Sequence, residues 1–220
     1  NLHLSRKLKV ECRKSFLVFV VLLLMFSCAS NPYKNVTIIS KVDGDKLALA
    51  PLVFKDLSKG KLYKAKVEIL KNYLSGLLMI KKVIGSNRVI FTSETGLKFF
   101  DFEFAPDTFI VHHLMEQFDN KHVLNTLRED IGALVHFKID GPYEHVAIKG
   151  EEGRINRRKD GEEWMYYYYQ DERLNKIERA SDKKKKVIIT FENYEEDIPQ
   201  LINIAHKDFK MNIELNYIKR

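Results

Sequence analysis

The side chains best equipped for chemistry are two carboxylates two residues apart, Asp101 and Glu103 in LKFFDFEF (97–104), and the adjacent pair His112-His113. In a strand, residues two apart share a face, so Asp101 and Glu103 stand side by side. Such a pair does acid–base work only where it flanks a substrate cleft. The sequence shows no cleft there, and a polar outer face is expected instead. Adjacent histidines in a strand point to opposite faces and cannot chelate together. His122, His136, His145 and His206 are scattered, with no HExxH-type spacing, so structural or surface histidines are expected and no metal site. No GxSxG elbow, phosphate-binding loop or dinucleotide fingerprint occurs. The reading is a protein with no catalytic residue and no cofactor, not an enzyme.

Cysteine chemistry is confined to one place. Residues 15–28 read SFLVFVVLLLMFSC, an unbroken apolar run that ends at Ser27-Cys28 and follows a basic cluster. A membrane-crossing helix needs about 20 apolar residues, whereas this run has the length of the apolar core of a secretory signal. Met25, Phe26, Ser27 and Cys28 resemble a bacterial lipobox, in which the cysteine carries the lipid and becomes the mature N-terminus. The expected organisation is a lipoprotein signal peptide (1–27), a lipid-attachment site at Cys28 with a tether to residue 46, and a β domain over 47–220. An uncleaved single-pass anchor is the alternative reading of the same run. The chain begins at Asn1 rather than Met, which points to a fragment or a misassigned start.

Removing the signal changes the balance of charge. Arg6, Lys7, Lys9, Arg13 and Lys14 against Glu11 supply +4 of the formal +7, leaving +3 from Cys28 onwards. Nucleic-acid binding wants a concentrated basic stripe, and none is expected here. Cys12 lies in the leader, so the mature domain has no second thiol for an internal disulfide. Stability must come from an apolar core, which the abundant Phe and Tyr of a chain with 45% hydrophobic content can build.

The elements follow from periodicity. Residues 29–46 read as a tether, with thin evidence for a strand at 36–40, and 47–57 as a short helix or packed strap. From Tyr63, alternation of period two predicts a strand. Residues 73–82 (YLSGLLMIKK) are apolar on both parities and are expected to be covered on both sides. Strands follow at 88–94, 97–104 and 108–115, joined by short turns as in an antiparallel meander. Phe100, Phe102 and Phe104 share one face, with Phe99 on the other. Residues 120–135 then break the rule: Val123, Leu124, Leu127, Ile131, Leu134 and Val135 recur at helical spacing, with Lys121, Arg128, Glu129 and Asp130 opposite. Asp119 or Asn120 serves as N-cap. Residues 149–163 read as charged loops around a short strand at 144–148. Strands resume at 164–170, 174–179, 186–192, 200–205 and 212–218. In WMYYYYQ (164–170), alternation puts Trp164, Tyr166 and Tyr168 on one face and Met165, Tyr167 and Tyr169 on the other. An ordinary strand and a stacking platform are both compatible with that. Lys183 to Lys186 reads as a solvated turn with edge-protecting lysines, or as a patch for anionic headgroups.

The order of elements resembles the LolA/LolB-like superfamily, which includes a periplasmic lipoprotein carrier and an outer-membrane lipoprotein receptor. The resemblance runs from about Lys61 to the C-terminus. It rests on RVIFTSETGLKFFDFEFAPDTFIVHH (88–113) with its Ser-x-x-Gly-Leu turn, on the helix at 120–135, and on DIPQLINIAHKDFKMNIELNYI (197–218). It implies an α+β, mainly β fold, a strongly curved antiparallel sheet or unclosed barrel whose concave face is covered by amphipathic helix. The signal and Cys28 make the chain look more like the anchored receptor than the soluble carrier. By the sorting rules of such lipoproteins, Ala29 after the cysteine implies the outer membrane. The residues that follow lack the acidic stretch of Bacteroidetes-type surface export, which implies a periplasm-facing position.

Two readings follow. In one, the helix covers the sheet incompletely, and Val67, Leu78, Phe91, Phe100, Phe102, Ile110 and Leu127 wall an apolar cavity for acyl chains or the lipidated N-terminus of a lipoprotein. In the other the core is filled, and the protein is an interaction lipoprotein of an envelope assembly. Its partner contacts would then come from residues 154–159 and the aromatic strand. The membrane is reached through Cys28 in both.

Overall fold

A computed structural model describes residues 33–42, 53–106, 108–135 and 142–219. Cys28, His136 and the apolar run at 15–28 lie outside the described residues. Among those described, no helix is long and apolar enough to cross a membrane.

Alternation becomes strand wherever it occurs. In β2 (Lys61–Ile69), Tyr63, Ala65, Val67 and Ile69 are buried, while Lys64 and Lys66 face solvent. β3 (Asn72–Val83), β4 (Ser86–Thr92), β5 (Lys98–Ala105) and β6 (Thr108–Leu114) complete a meander with it. After helix α1 (Lys121–Val135) come β7 (Tyr143–Ile148), β8 (Arg154–Asp160), β9 (Glu163–Gln170), β10 (Arg173–Ala180), β11 (Lys185–Glu195), β12 (Ile198–His206) and β13 (Met211–Tyr217). With β1 (Val36–Val42), the described strands form one thirteen-stranded sheet in the order β1-β7-β8-β9-β10-β11-β12-β13-β2-β3-β4-β5-β6. Every neighbouring pair is antiparallel. β1 and β6 are its two free edges, so the curved sheet does not close into a barrel.

The core lies on the inner face. Inward residues of β2 to β5 and of β9 to β13 form one continuous cluster with Val123, Leu127, Ile131, Leu134 and Val135 of α1. Val53, Phe54 and Leu57 join it as a packed strap. Asn120 caps the helix, its Oδ1 accepting the His122 N–H at 2.8 Å. The Ser-x-x-Gly-Leu turn closes through the Ser93 Oγ, which accepts the Leu97 N–H at 2.9 Å, with Gly96 at φ +91°.

Five expectations are corrected. Residues 36–42, within the expected tether, are a strand of the sheet, because six of them pair with β7. Residues 154–160, expected in a loop, form β8: flanked by β7 and β9, the polar RINRRKD has ladder partners on both sides. β3 is covered on one side only. Leu78 and Ile80 are buried, but Leu77 and Met79 stay partly open, sheltered by their cross-strand neighbours, Ile90 and Leu62 among them. Phe99 is buried rather than outward, because the register slips between Phe91 and Thr92 and turns its ring to 4.7 Å from Phe91. Lys183 to Lys186 do not protect an edge, since their hairpin joins β10 and β11 inside the sheet. Lys184, Lys185 and Lys186 bind Asp208, Glu178 and Glu163.

The sheet's curvature demands small residues where backbones close in. A Cβ on Gly76 of β3 would lie 1.9 Å from the Thr92 carbonyl oxygen, and one on Gly153 would lie 2.3 Å from that of Tyr169. Neither obstacle is a side-chain tip that could swing aside. Gly76→Ala is therefore expected to destabilise the fold by about 2–3 kcal/mol through overpacking, read as a lower urea midpoint. An unchanged midpoint would show that β4 can move away freely.

Candidate functional site

The residues singled out for chemistry are occupied structurally. Asp101 is almost fully buried on the outer face beneath two cations, Arg88 at 2.8 and 3.0 Å and Lys98 at 2.7 Å. Burial by itself raises its carboxyl pKa, but the hydrogen bonds from Arg88 and Lys98 outweigh it and hold the group below the usual carboxylate value. Glu103 is held low by Ser86 Oγ at 2.6 Å and by His112 Nε2 at 2.7 Å. His113 Nε2 lies 3.0 Å from the Lys98 carbonyl and His145 Nδ1 lies 2.6 Å from Asn156 Oδ1. Among the described residues, no three of His, Cys, Asp or Glu are grouped to hold a metal ion.

The residues proposed to wall a cavity sit elsewhere. Val67, Leu78, Phe91, Phe100, Phe102 and Leu127 belong to the packed core, and Ile110 lies opposite Glu103 on the outer side of edge strand β6. None of the seven lines the open space beside the helix among the described residues. That space is a cleft of about 660 Å3 along one flank of α1. Phe104, Ala105, Pro106, Thr108 and Phe109 of the β5–β6 hairpin form one wall. Arg158, Asp160, Glu163, Met165, Tyr167 and Arg179, from β8 to β10, form the other. Between them α1 contributes Asn125, Arg128, Glu129, Gly132 and Ala133.

These five helix positions are spaced i, i+3, i+4, i+7, i+8, one continuous stripe beside the apolar one. Its two last members are small, and at Gly132 the helix packs closely on the sheet: a Cβ there would meet the Phe104 ring at 3.4 Å. That stripe was the available sequence signal. What periodicity misplaced is Asp130, expected on the wet side but 1% exposed. It is buried because His206 Nε2 reaches its Oδ2 at 2.6 Å, from a strand 76 residues away, with Arg179 Nη2 3.7 Å from its Oδ1. Arg179 also binds Glu129 and lies 3.4 Å from Glu163. At the helix C-terminus, Asn87 Nδ2 donates to the Val135 carbonyl at 2.9 Å, satisfying one of the orphan acceptors there. The helix is thus fixed by polar contacts at its end and its middle, while the cleft runs beside it.

The cleft combines apolar side chains, Phe104, Phe109 and Met165 among them, with charged ones, Arg128, Glu129, Arg158 and Arg179. Tyr167 is buried, and burial raises its phenol pKa despite Arg158, whose Nε donates to the hydroxyl at 3.2 Å. The described lining contains no His, Cys or Ser. The arrangement can hold an amphiphile by burial and charge.

A second, smaller core covers the outer face at the other end of the sheet. Val146, Ile148, Ile155, Tyr166, Tyr168 and Ala180 form it, with Tyr33 stacked on Tyr166 at 4.5 Å. The aromatic strand is therefore buried on both faces, with the alternation that the sequence predicts. At its centre Glu178 accepts from Tyr33 at 2.9 Å, Tyr168 at 2.8 Å and Lys185 at 2.8 Å. Burial raises the Glu178 pKa, but Lys185, Tyr168 and the charge of Lys176 bring it below the ordinary value.

No family model matches the chain, and no curated protein matches it. Among solved structures it is similar to the crystal structure of a domain from Vibrio parahaemolyticus described as an outer membrane lipoprotein-sorting protein domain. The identity is 9% and the TM-score 0.44, over 76% of this chain and 86% of that one.

Two predictions follow from these ion pairs. His206→Ala removes the one hydrogen-bond donor to the Asp130 carboxylate among the described residues, and is expected to cost about 3 kcal/mol in urea unfolding. Asp130→Asn, which keeps an acceptor, costs less; equal losses would argue against a paired charge. Glu178 has a depressed folded pKa, so its contribution is present above the unfolded value of about 4.3 and is lost as pH falls through the folded one. The stability gap between the wild type and Glu178→Gln should therefore be widest near neutrality and narrow below about pH 4.

Proposed function

We propose that the protein is a lipid-anchored, periplasm-facing component of the outer membrane that binds an acyl chain, of a lipid or of a lipidated protein, without catalysis. The observation that carries the binding role is the cleft between α1 and the sheet, open to the surface and floored by Phe104, Phe109, Met165 and Tyr167. Its volume falls within the roughly 300–1,000 Å3 of small-molecule sites. Burying an acyl chain contributes about 0.8 kcal/mol per CH2, so a few methylenes on that floor give useful affinity without a reactive group. The anchor rests on the apolar run and on Cys28, and the membrane assignment on Ala29.

The filled core favours a second reading, an interaction lipoprotein of an envelope assembly. Tyr63, Phe91 and Phe102 are completely buried, so no hollow adjoins those side chains. Strand β8 and the aromatic strand β9, expected to meet partners, are paired on both edges. Under this reading contacts fall to the free edges β1 and β6, where Ile39 and Val111 are exposed.

A photoreactive palmitate analogue separates the two. With the full chain kept soluble in an amphiphilic polymer, cross-links are expected in the peptides of α1 and β9. Ala133→Trp, which fills the floor, should reduce them about tenfold or more, the equivalent of displacing two or more buried methylenes. Labelling that ignores Ala133→Trp, or that falls outside the cleft, overturns the acyl reading and leaves the scaffold.

A further inference from the structure

The charges on the cleft's rim are not all matched. Glu129 and Glu163 are bound by Arg179, and Glu163 also by Lys186. Two arginines remain, one on the helix between the walls and one on the β8 wall. Arg158 enters from β8 with its side chain 13% exposed, yet its contacts are a phenol at 3.2 Å and the outward-lying Asp160 at 3.4 Å. Arg128 comes from α1 and makes no ion pair among the described residues. Its guanidinium instead lies 5.4 Å above the Phe109 ring, a cation held by an aromatic face and still open to an acceptor. A guanidinium offers five N–H donors in a planar fork that fits a carboxylate or phosphate. A half-buried arginine given only a phenol and one long carboxylate contact keeps donors to spare.

We infer that the mouth of the cleft is an oxyanion site, in which Arg128 and Arg158 receive the carboxylate or phosphate of an acidic amphiphile whose chain lies on Phe104, Phe109 and Met165. This rests on the acyl-binding reading and names the class of ligand within it. The geometry selects against a neutral headgroup, which would leave Arg128 and the spare donors of Arg158 without a charged acceptor once the chain excludes water. It selects against a cationic one as well, because Arg179 and Lys186 already hold the two glutamates. Among the described residues of the lining, Asp160 is the remaining acidic group, and it lies largely in solvent beside Arg158.

The test uses the full chain in the same polymer with three probes: a photoreactive fatty acid, its methyl ester, and inorganic phosphate. The acid should half-saturate cleft labelling at a concentration about tenfold below the ester, the size of one charged hydrogen bond. Arg128→Gln, at an exposed position, should bring the acid to the level of the ester; Arg158→Lys, which keeps the charge and loses the fork, should fall between. Millimolar phosphate that displaces the acid but not the ester supports the site. Equal labelling by acid and ester, unchanged in Arg128→Gln, overturns the oxyanion site and leaves acyl binding standing. If neither lipid labels the cleft but phosphate raises the melting temperature in an Arg128-dependent way, the oxyanion site stands and the acyl reading falls. No labelling and no shift sinks both.

Discussion

An antiparallel sheet that curves without closing has an inner apolar face with no opposite wall, and everything else in this protein answers to that constraint. Strands supply one side of a core, and a second layer must supply the other. Here the second layer is the helix α1 with the strap that includes Val53, Phe54 and Leu57. The apolar stripe of α1 interdigitates with inward side chains from both halves of the sheet, β2 to β5 and β9 to β13. Apolar contact is non-directional and would let a fifteen-residue helix slide or rotate. The directional contacts are polar: Asn87 to the last helical carbonyl, and His206 to Asp130 in the middle.

The cleft is the remainder of that arrangement. One helix cannot cover the whole inner face, and along one flank α1 presents Gly132 and Ala133 rather than bulky residues. The gap falls between the β5–β6 hairpin and strands β8 to β10, where the two ends of the open sheet would otherwise meet. Phe104, Phe109 and Met165 give it apolar surface, and its charge comes from the inward positions of β8, where Arg158 and Asp160 stand opposite Met165 and Glu163.

The outer face follows a different rule at its two ends. Around β2 to β4 it is wet, and long lysines and cross-strand neighbours shelter Leu77 and Met79. Around β7 to β10 it is dry, with Tyr33 laid across Tyr166 and a buried carboxylate, Glu178, satisfied by two tyrosines and two lysines. Glu178 shows how a charge becomes tolerable inside: each oxygen has donors, and the cations shift its pKa down against the pull of burial. The chain just beyond the proposed lipid site is thereby held against the domain at Tyr33, rather than hanging as a plain tether.

Periodicity alone determined the strands from β2 to β6 and β9 to β13, the helix with a cap at Asp119 or Asn120, and the alternation of Trp164 to Tyr169, because these depend on neighbours two to four residues apart; the structure chose Asn120 and buried both faces of that strand. The charge balance and the positions of the two thiols follow from residue identity alone. What depends on distant partners needed the tertiary structure. Strand β8 is polar in sequence and exists because β7 and β9 offer it ladders on both sides. Asp130 looks like a surface residue until His206 arrives from β12. The seven apolar residues read as cavity walls are apolar for the same reason a core is, and sequence cannot tell a lined void from a filled one. The cleft residues carry mixed chemistry along a helical stripe, and only the curvature of the sheet brings Arg128 and Arg158 to the same opening.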